Sequence, residues 1–155
     1  MIFVECFPDI NLVQTLRRIS RRDIVHEFKG KGAVCNELRK KANCLALLDE
    51  DHGNPQPPYL KEVQLHSHLT DQDIKILYDH ARNNSVVLLI PSLEFWILRA
   101  ARLADLRVID YGLPNDGKEL HRIIKGKLDK YQSLLDDLVE KHSSMLSSLR
   151  KALGT

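Results

Sequence analysis

The chain has 155 residues, 43% of them apolar and 28% charged, which suits one buried core and excludes both a disordered chain and a disulfide-stapled miniature fold. Lysine and arginine number 23 against 21 acids, a net charge of +2, too small to argue nucleic-acid binding from charge alone. Cys6, Cys35 and Cys44 form no CxxC pair, so no cysteine framework or zinc knuckle is indicated and a reducing cytoplasm fits best.

The chain opens Met1-Ile2-Phe3-Val4-Glu5 without a basic leader. Its apolar runs fall well below the roughly 18 residues that cross a bilayer, so secretion and membrane insertion are disfavoured. Residues 1–7 read as a strand, and Pro8-Asp9 punctuates the chain before Ile10, Val13, Leu16 and Ile19 recur at helical spacing, with Asp9 as N-cap. A second strand is expected over Ile24 to Phe28 and a second helix over 33–42. Cys44 to Leu48 is a continuous apolar run ending in Asp49-Glu50-Asp51, the pattern of a buried parallel strand reaching the carboxyl edge of its sheet.

The proline-rich stretch after His52 is expected to be a loop. An edge strand follows over 61–68, and Thr70-Asp71-Gln72-Asp73 resembles a capping box that opens a helix to about Arg82. Ser85 to Ile90 is another buried strand, and Pro91-Ser92 leads into a buried helix, SLEFWILRAARLA. Leu106 to Ile109 is expected to add a short strand. From Lys118 onward the reading is helical, with Ile124, Tyr131, Leu135, Leu138, His142, Met145 and Leu149 on one stripe; so long a helix offers either internal packing or a homodimer seam. The fold class is therefore a single α/β domain, with a mainly parallel sheet, helices on both faces and a helical C-terminal extension.

In such a sheet, functional groups collect where strands end and helices begin. Glu5 closes the first strand, and Asp49 and Asp51 close the third. If those strands are neighbours the three carboxylates meet, and residues two apart in an extended segment point the same way. Oxygen-only ligation favours Mg²⁺ or Mn²⁺, and clustered carboxylates repel unless a cation neutralises them. The alternative is that each acid is a helix cap or a solvated loop charge.

The motifs Val4-Glu5-Cys6-Phe7-Pro8-Asp9 and Leu48-Asp49-Glu50-Asp51-His52-Gly53 resemble the glutamate and DxD motifs of the TOPRIM domain, found in topoisomerases, primases and nucleases. Cys6 stands where a family glycine normally follows the glutamate. Pro91-Ser92-Leu93-Glu94-Phe95-Trp96 is similar to a segment of small stand-alone TOPRIM-like proteins, which makes Glu94 a fourth candidate ligand. The resemblance implies a TOPRIM-like domain over 1–112 and an extension over 113–155. It also implies Mg²⁺-dependent phosphodiester chemistry, in which Asp49 and Asp51 hold the cation and Glu5 is a ligand or general acid/base. A small nuclease, or the metal-binding part of a larger protein assembly, is the expected role.

Within residues 1–48, nine lysines and arginines face five acids. Lys29 and Lys31 flank glycines after the second strand and are the candidates to reach a phosphate of DNA or RNA. Zinc at His52, His66 and His68 is disfavoured because no third ligand of fitting spacing is evident. Cys6 reads as a buried thiol, Trp96 as core, and Tyr59, Tyr78, Tyr111 and Tyr131 have no motif around them, so none is assigned as a nucleophile. Two other classes compete: a phosphoacceptor receiver domain, weakened by a missing second acid at the first strand, and a non-catalytic interaction module with a dimerising C-terminal helix.

Overall fold

In the computed structural model, residues 1–27, 29–51 and 53–154 are described; Phe28 and His52, which the sequence places in the second strand and beside the DxD motif, lie outside them. Among the described residues the chain runs β1 (Ile2–Val4), α1 (Phe7–Arg17), β2 (Ile24–His26), α2 (Lys31–Lys40), β3 (Leu45–Asp49), α3 (Pro58–Glu62), β4 (Gln64–Leu69), β5 (Ile74–Asp79), β6 (Asn84–Leu89), α4 (Leu93–Leu103), α5 (Gly117–Ile123), α6 (Leu128–Glu140) and α7 (Ser144–Ala152).

One six-stranded sheet has the order β2-β1-β3-β6-β5-β4. β2, β1, β3 and β6 are parallel, while β5 and β4 add an antiparallel edge. This is the expected α/β class, and β1 and β3 are indeed neighbours, with Val4 paired to Leu47.

Side chains alternate across the strands, as the pleat requires. Ile2, Val4, Leu47, Val87 and Leu89 face a core closed by α1 and α4 to α7. Phe3, Ala46, Leu48, Val86 and Leu88 face a second core closed by α2 and α3. Helices thus cover both faces, so a strand such as β3 is apolar on both sides and reads as an unbroken hydrophobic run.

Three expectations are corrected. The segment opening at Ile74 is strand β5, not a helix: Asp73 adopts the left-handed region at φ 50°, reversing the chain after a 3-10 turn, and Ile74 to Asp79 pairs with both β4 and β6. Its apolar spacing suits either period, and the vacant slot beside β6 decides between them. Leu106 to Ile109 forms no strand, because Val108–Tyr111 is a 3-10 turn on the helical layer. The C-terminal helix is not continuous. A 3-10 turn at Ile124–Gly126 separates α5 from α6, and His142, at φ 56°, breaks α6 from α7.

His142 is therefore exposed in a turn rather than on the stripe. Ile124, Tyr131, Leu135, Leu138, Met145 and Leu149 are all buried in the core of the same chain, so the apolar seam is used internally. No helix among the described residues is long and apolar enough to cross a membrane.

Local caps hold this layer. Asp116 precedes α5 and accepts the Glu119 amide at 2.9 Å. Removing it in Asp116→Ala is expected to cost about 1 kcal/mol, read as a lower urea midpoint with an unchanged m-value; no change in midpoint would show that this cap is not needed.

Candidate functional site

The site forms where β1 and β3 end. β1 stops at Val4, and the Glu5 carboxylate takes over from its backbone by accepting the Asp49 amide through Oε2 at 3.0 Å. Asp49, the last residue of β3, follows the pleat onto the same face as Leu47. There its Oδ1 accepts the Leu93 amide at 2.8 Å, at the first turn of α4.

Asp9 arrives from α1. Pro8 lies in the first turn of that helix, whose N-cap is Cys6, not Asp9; Asp9 reaches back to accept the Cys6 amide and the Cys6 thiol, both at 3.1 Å on Oδ2. A proline in the first turn is the sequence signal that places Asp9 at the third helical position, where an acid closes a capping box. Glu94, in the first turn of α4, is buried and bonded to the exposed His121 at 3.0 Å.

These carboxylates sense one another. Burial pushes Asp49 well above the usual carboxylate range, and the charges of Asp9, Glu5, Glu94 and Asp51 push it further. Burial likewise raises Asp9; the hydrogen bonds from Cys6 oppose this, whereas the Glu5 and Glu94 charges add to it. Glu5 is raised by burial against the restraint of the Asp49 amide and Lys31. The Cys6 thiol is driven strongly upward by burial and by Asp9, so it is a hydrogen-bond donor and not a thiolate nucleophile. Negative charge at two helix N-termini gains from the helix dipoles, but here the cost of dehydrating several carboxylates together exceeds that gain.

Asp51 departs from the expected arrangement. It takes a left-handed φ of 49°, so the DxD segment is not extended and Asp49 and Asp51 do not follow one pleat. The Asp51 carboxylate instead lies 3.8 Å from Lys31 Nζ. Lys31 also donates to the Glu50 carbonyl at 3.0 Å and to Gln56 Oε1 at 3.3 Å, while Gln56 ties down the carbonyls of Glu50, Asp51 and Asn54. Lys31 is thus a strut under the DxD loop, and Lys29 is exposed beside it.

Other cations of the N-terminal third are engaged too: Arg39 with Glu62, Lys40 and Lys41 with Glu37, and Arg21 with the Ile24 carbonyl. His66 and His68 are exposed on the edge strand β4. Trp96 is core, its indole donating to the Gln72 carbonyl at 2.8 Å.

The donor set suits a hard divalent cation in kind, being all oxygen, crowded and short of positive charge. The arrangement is not a closed coordination sphere: among the described residues no group of three or more His, Cys, Asp and Glu is placed to hold an ion as it stands. Glu5 and Asp49 each commit one carboxylate oxygen to a backbone amide.

Fold and site together define an α/β domain with helices on both faces and an acidic cluster at the carboxyl edge of its parallel strands. No protein-family model, curated protein or solved structure matches the chain.

Proposed function

We propose that this protein carries out Mg²⁺- or Mn²⁺-dependent phosphodiester chemistry on DNA or RNA, as a nuclease or as a nucleic-acid-processing subunit. The observation that supports the reading is the crowding of Glu5, Asp9, Asp49 and Glu94 at the carboxyl edge of the sheet, where the charges of Glu5, Asp9 and Glu94 raise the proton affinity of their neighbours. Such a cluster is costly to fold and gains most from a cation. Glu5 and Asp49 are the residues to hold it, with Asp51 and Glu94 beside them. The bound cation would supply charge stabilisation at the phosphate and leaving oxygen. Glu5, next to Lys31 in charge, is the group to move a proton, and Lys29 is free to meet the nucleic-acid backbone.

A second reading has its own support. Asp49 accepts a first-turn amide of α4, Asp9 completes the cap of α1, and Glu94 is paired with His121, so each acid also has a structural partner. On that reading the domain is a non-catalytic interaction module. Its partner surface would not be the C-terminal apolar stripe, which is internal.

Nicking of supercoiled plasmid and degradation of single-stranded RNA, followed with Mg²⁺, Mn²⁺ or chelator, separate the two. The nuclease reading expects cation-dependent cleavage that falls at least about 100-fold in Asp49→Asn, as loss of a principal charge-stabilising group does. Cleavage unaffected by the substitution, or no cleavage together with no cation uptake, would overturn it.

A further inference from the structure

The C-terminal end of α4 carries a feature of its own, roughly 15 Å along the helix from the acidic edge at its first turn. The helix closes in a Schellman motif. The Asp105 amide donates to the Arg102 carbonyl at 3.2 Å and the Leu106 amide to the Ala101 carbonyl at 2.9 Å, with Asp105 in the left-handed region at φ 56°. This reversal brings Arg107 and the 3-10 turn Val108–Tyr111 back alongside Arg102. Between them lies a cleft of about 470 Å³, within the range of small-molecule sites.

The apolar part of its wall is aliphatic. Leu98 and Val108 are buried beneath it, Leu106 is half-buried and Ile109 is 54% exposed. An isoleucine left that open at a concave surface gains from a ligand that covers it. Arg102 and Arg107 supply the charge. Arg99, one turn earlier, pairs with Asp73, whereas neither Arg102 nor Arg107 has an ion-pair partner among the described residues. Asp105 also borders the cleft. Two guanidinium groups against one carboxylate leave a single positive charge, which suits a monoanion and disfavours a run of phosphates. A guanidinium meets a carboxylate through two parallel hydrogen bonds.

We infer that this cleft binds a small aliphatic carboxylate, its chain on Leu98, Leu106, Val108 and Ile109 and its charge on Arg102 and Arg107. The site is separate from the acidic edge and stands whether or not that edge takes a cation.

The test is titration of the full chain, in chelator, with octanoate, 1-octanol and acetate, followed by calorimetry and by backbone amide chemical shifts. Octanoate carries both features of the ligand, octanol lacks the charge and acetate lacks the chain. Octanoate is expected to bind at one site, with shifts centred on residues 98–109, and the other two at least about 10-fold more weakly. Arg102→Gln/Arg107→Gln should weaken octanoate at least about 10-fold, and Ile109→Ser should weaken it as well. Arg18→Gln/Arg22→Gln, which removes the same charge from exposed positions elsewhere, should leave it unchanged. All of these positions are exposed, so the variants are expected to melt with the wild type.

Octanol binding as tightly as octanoate overturns the inference, as do equal losses in the two double variants or shifts centred away from residues 98–109. Full affinity in Ile109→Ser, or no octanoate binding by the wild type, overturns it too.

Discussion

Replacing Asp49 with asparagine is expected to raise the melting temperature of the cation-free protein. Asparagine keeps the shape and the Oδ1 acceptor for the Leu93 amide, but it removes a group whose ionisation is opposed by burial and by the charges of Asp9, Glu5, Glu94 and Asp51 and which the unfolded chain would ionise freely. Each unit of raised pKa is about 1.4 kcal/mol of differential interaction. A gain of about 1–2 kcal/mol is expected, roughly 2–8 °C for a domain of this size.

The sign reverses with cation. At a hundredfold excess over its dissociation constant a bound ion adds about 2.7 kcal/mol to the wild type, and Asp49→Asn should gain little of that. The pH dependence follows from linkage. Below about pH 4 both the folded and the unfolded Asp49 are protonated; above it the unfolded chain releases its proton while the folded one retains it, so the wild type loses stability as pH rises towards neutrality. The difference between wild type and variant, measured by chemical unfolding from pH 4 to 8, isolates this group. A variant that melts lower in chelator, or a difference that does not vary with pH, would sink the account of a charge-strained site.

The second large effect lies at the opposite end of β3. Asn84 is 0% exposed; it accepts the Cys44 amide at 2.9 Å and donates to the carbonyls of Leu38 at 2.9 Å and Lys41 at 3.0 Å. It thereby ties the end of α2 and the entry to β3 to the start of β6. Next to it Tyr59 donates to Asp79 at 2.9 Å, and Arg82 closes the group at 3.1 Å.

Asn84→Ala would leave the buried Cys44 amide without its partner, remove the donor to the Leu38 and Lys41 carbonyls and open a small cavity. A loss of about 3–4 kcal/mol is expected in chemical unfolding. A loss below about 1 kcal/mol would show that this network is dispensable. Asp79 in the same group has the opposite pH behaviour to Asp49. Burial tends to raise it, but the bonds from Tyr59 and Arg82 outweigh that and hold it below the usual carboxylate range. Its contribution is complete above the unfolded pKa and is lost as pH falls through the lower folded value, so the two acids shape different ends of the stability profile.

How much of this was legible in the chain depends on the range of the forces involved. Periodicity and end signals sufficed for β1, β2, β3, β6 and the helices α1, α2 and α4, because a strand buried on both faces must be apolar throughout and a helix must bury a stripe. The acidic edge was legible for the same reason: an apolar run that stops at Glu5 or Asp49 marks where a strand leaves the core.

Other features were decided by neighbours remote in sequence. Ile74 to Asp79 became a strand because β6 had an open edge to pair, which no local propensity encodes. Lys118 onward broke into separate helices at the Ile124–Gly126 3-10 turn and at His142, and its stripe is buried in the core of the same chain. Asp9 joined the acidic cluster through the packing of α1 on the sheet. Asp51, expected to point with Asp49, turned to Lys31 where the backbone left the extended region.

By itself, then, the sequence determined which segments are buried and where the strands end, since burial of apolar surface acts residue by residue. Only the tertiary structure decided which carboxylates share a site and which groups face it. Electrostatic coupling depends on distance through space, and that distance is set by how the helices pack across the sheet.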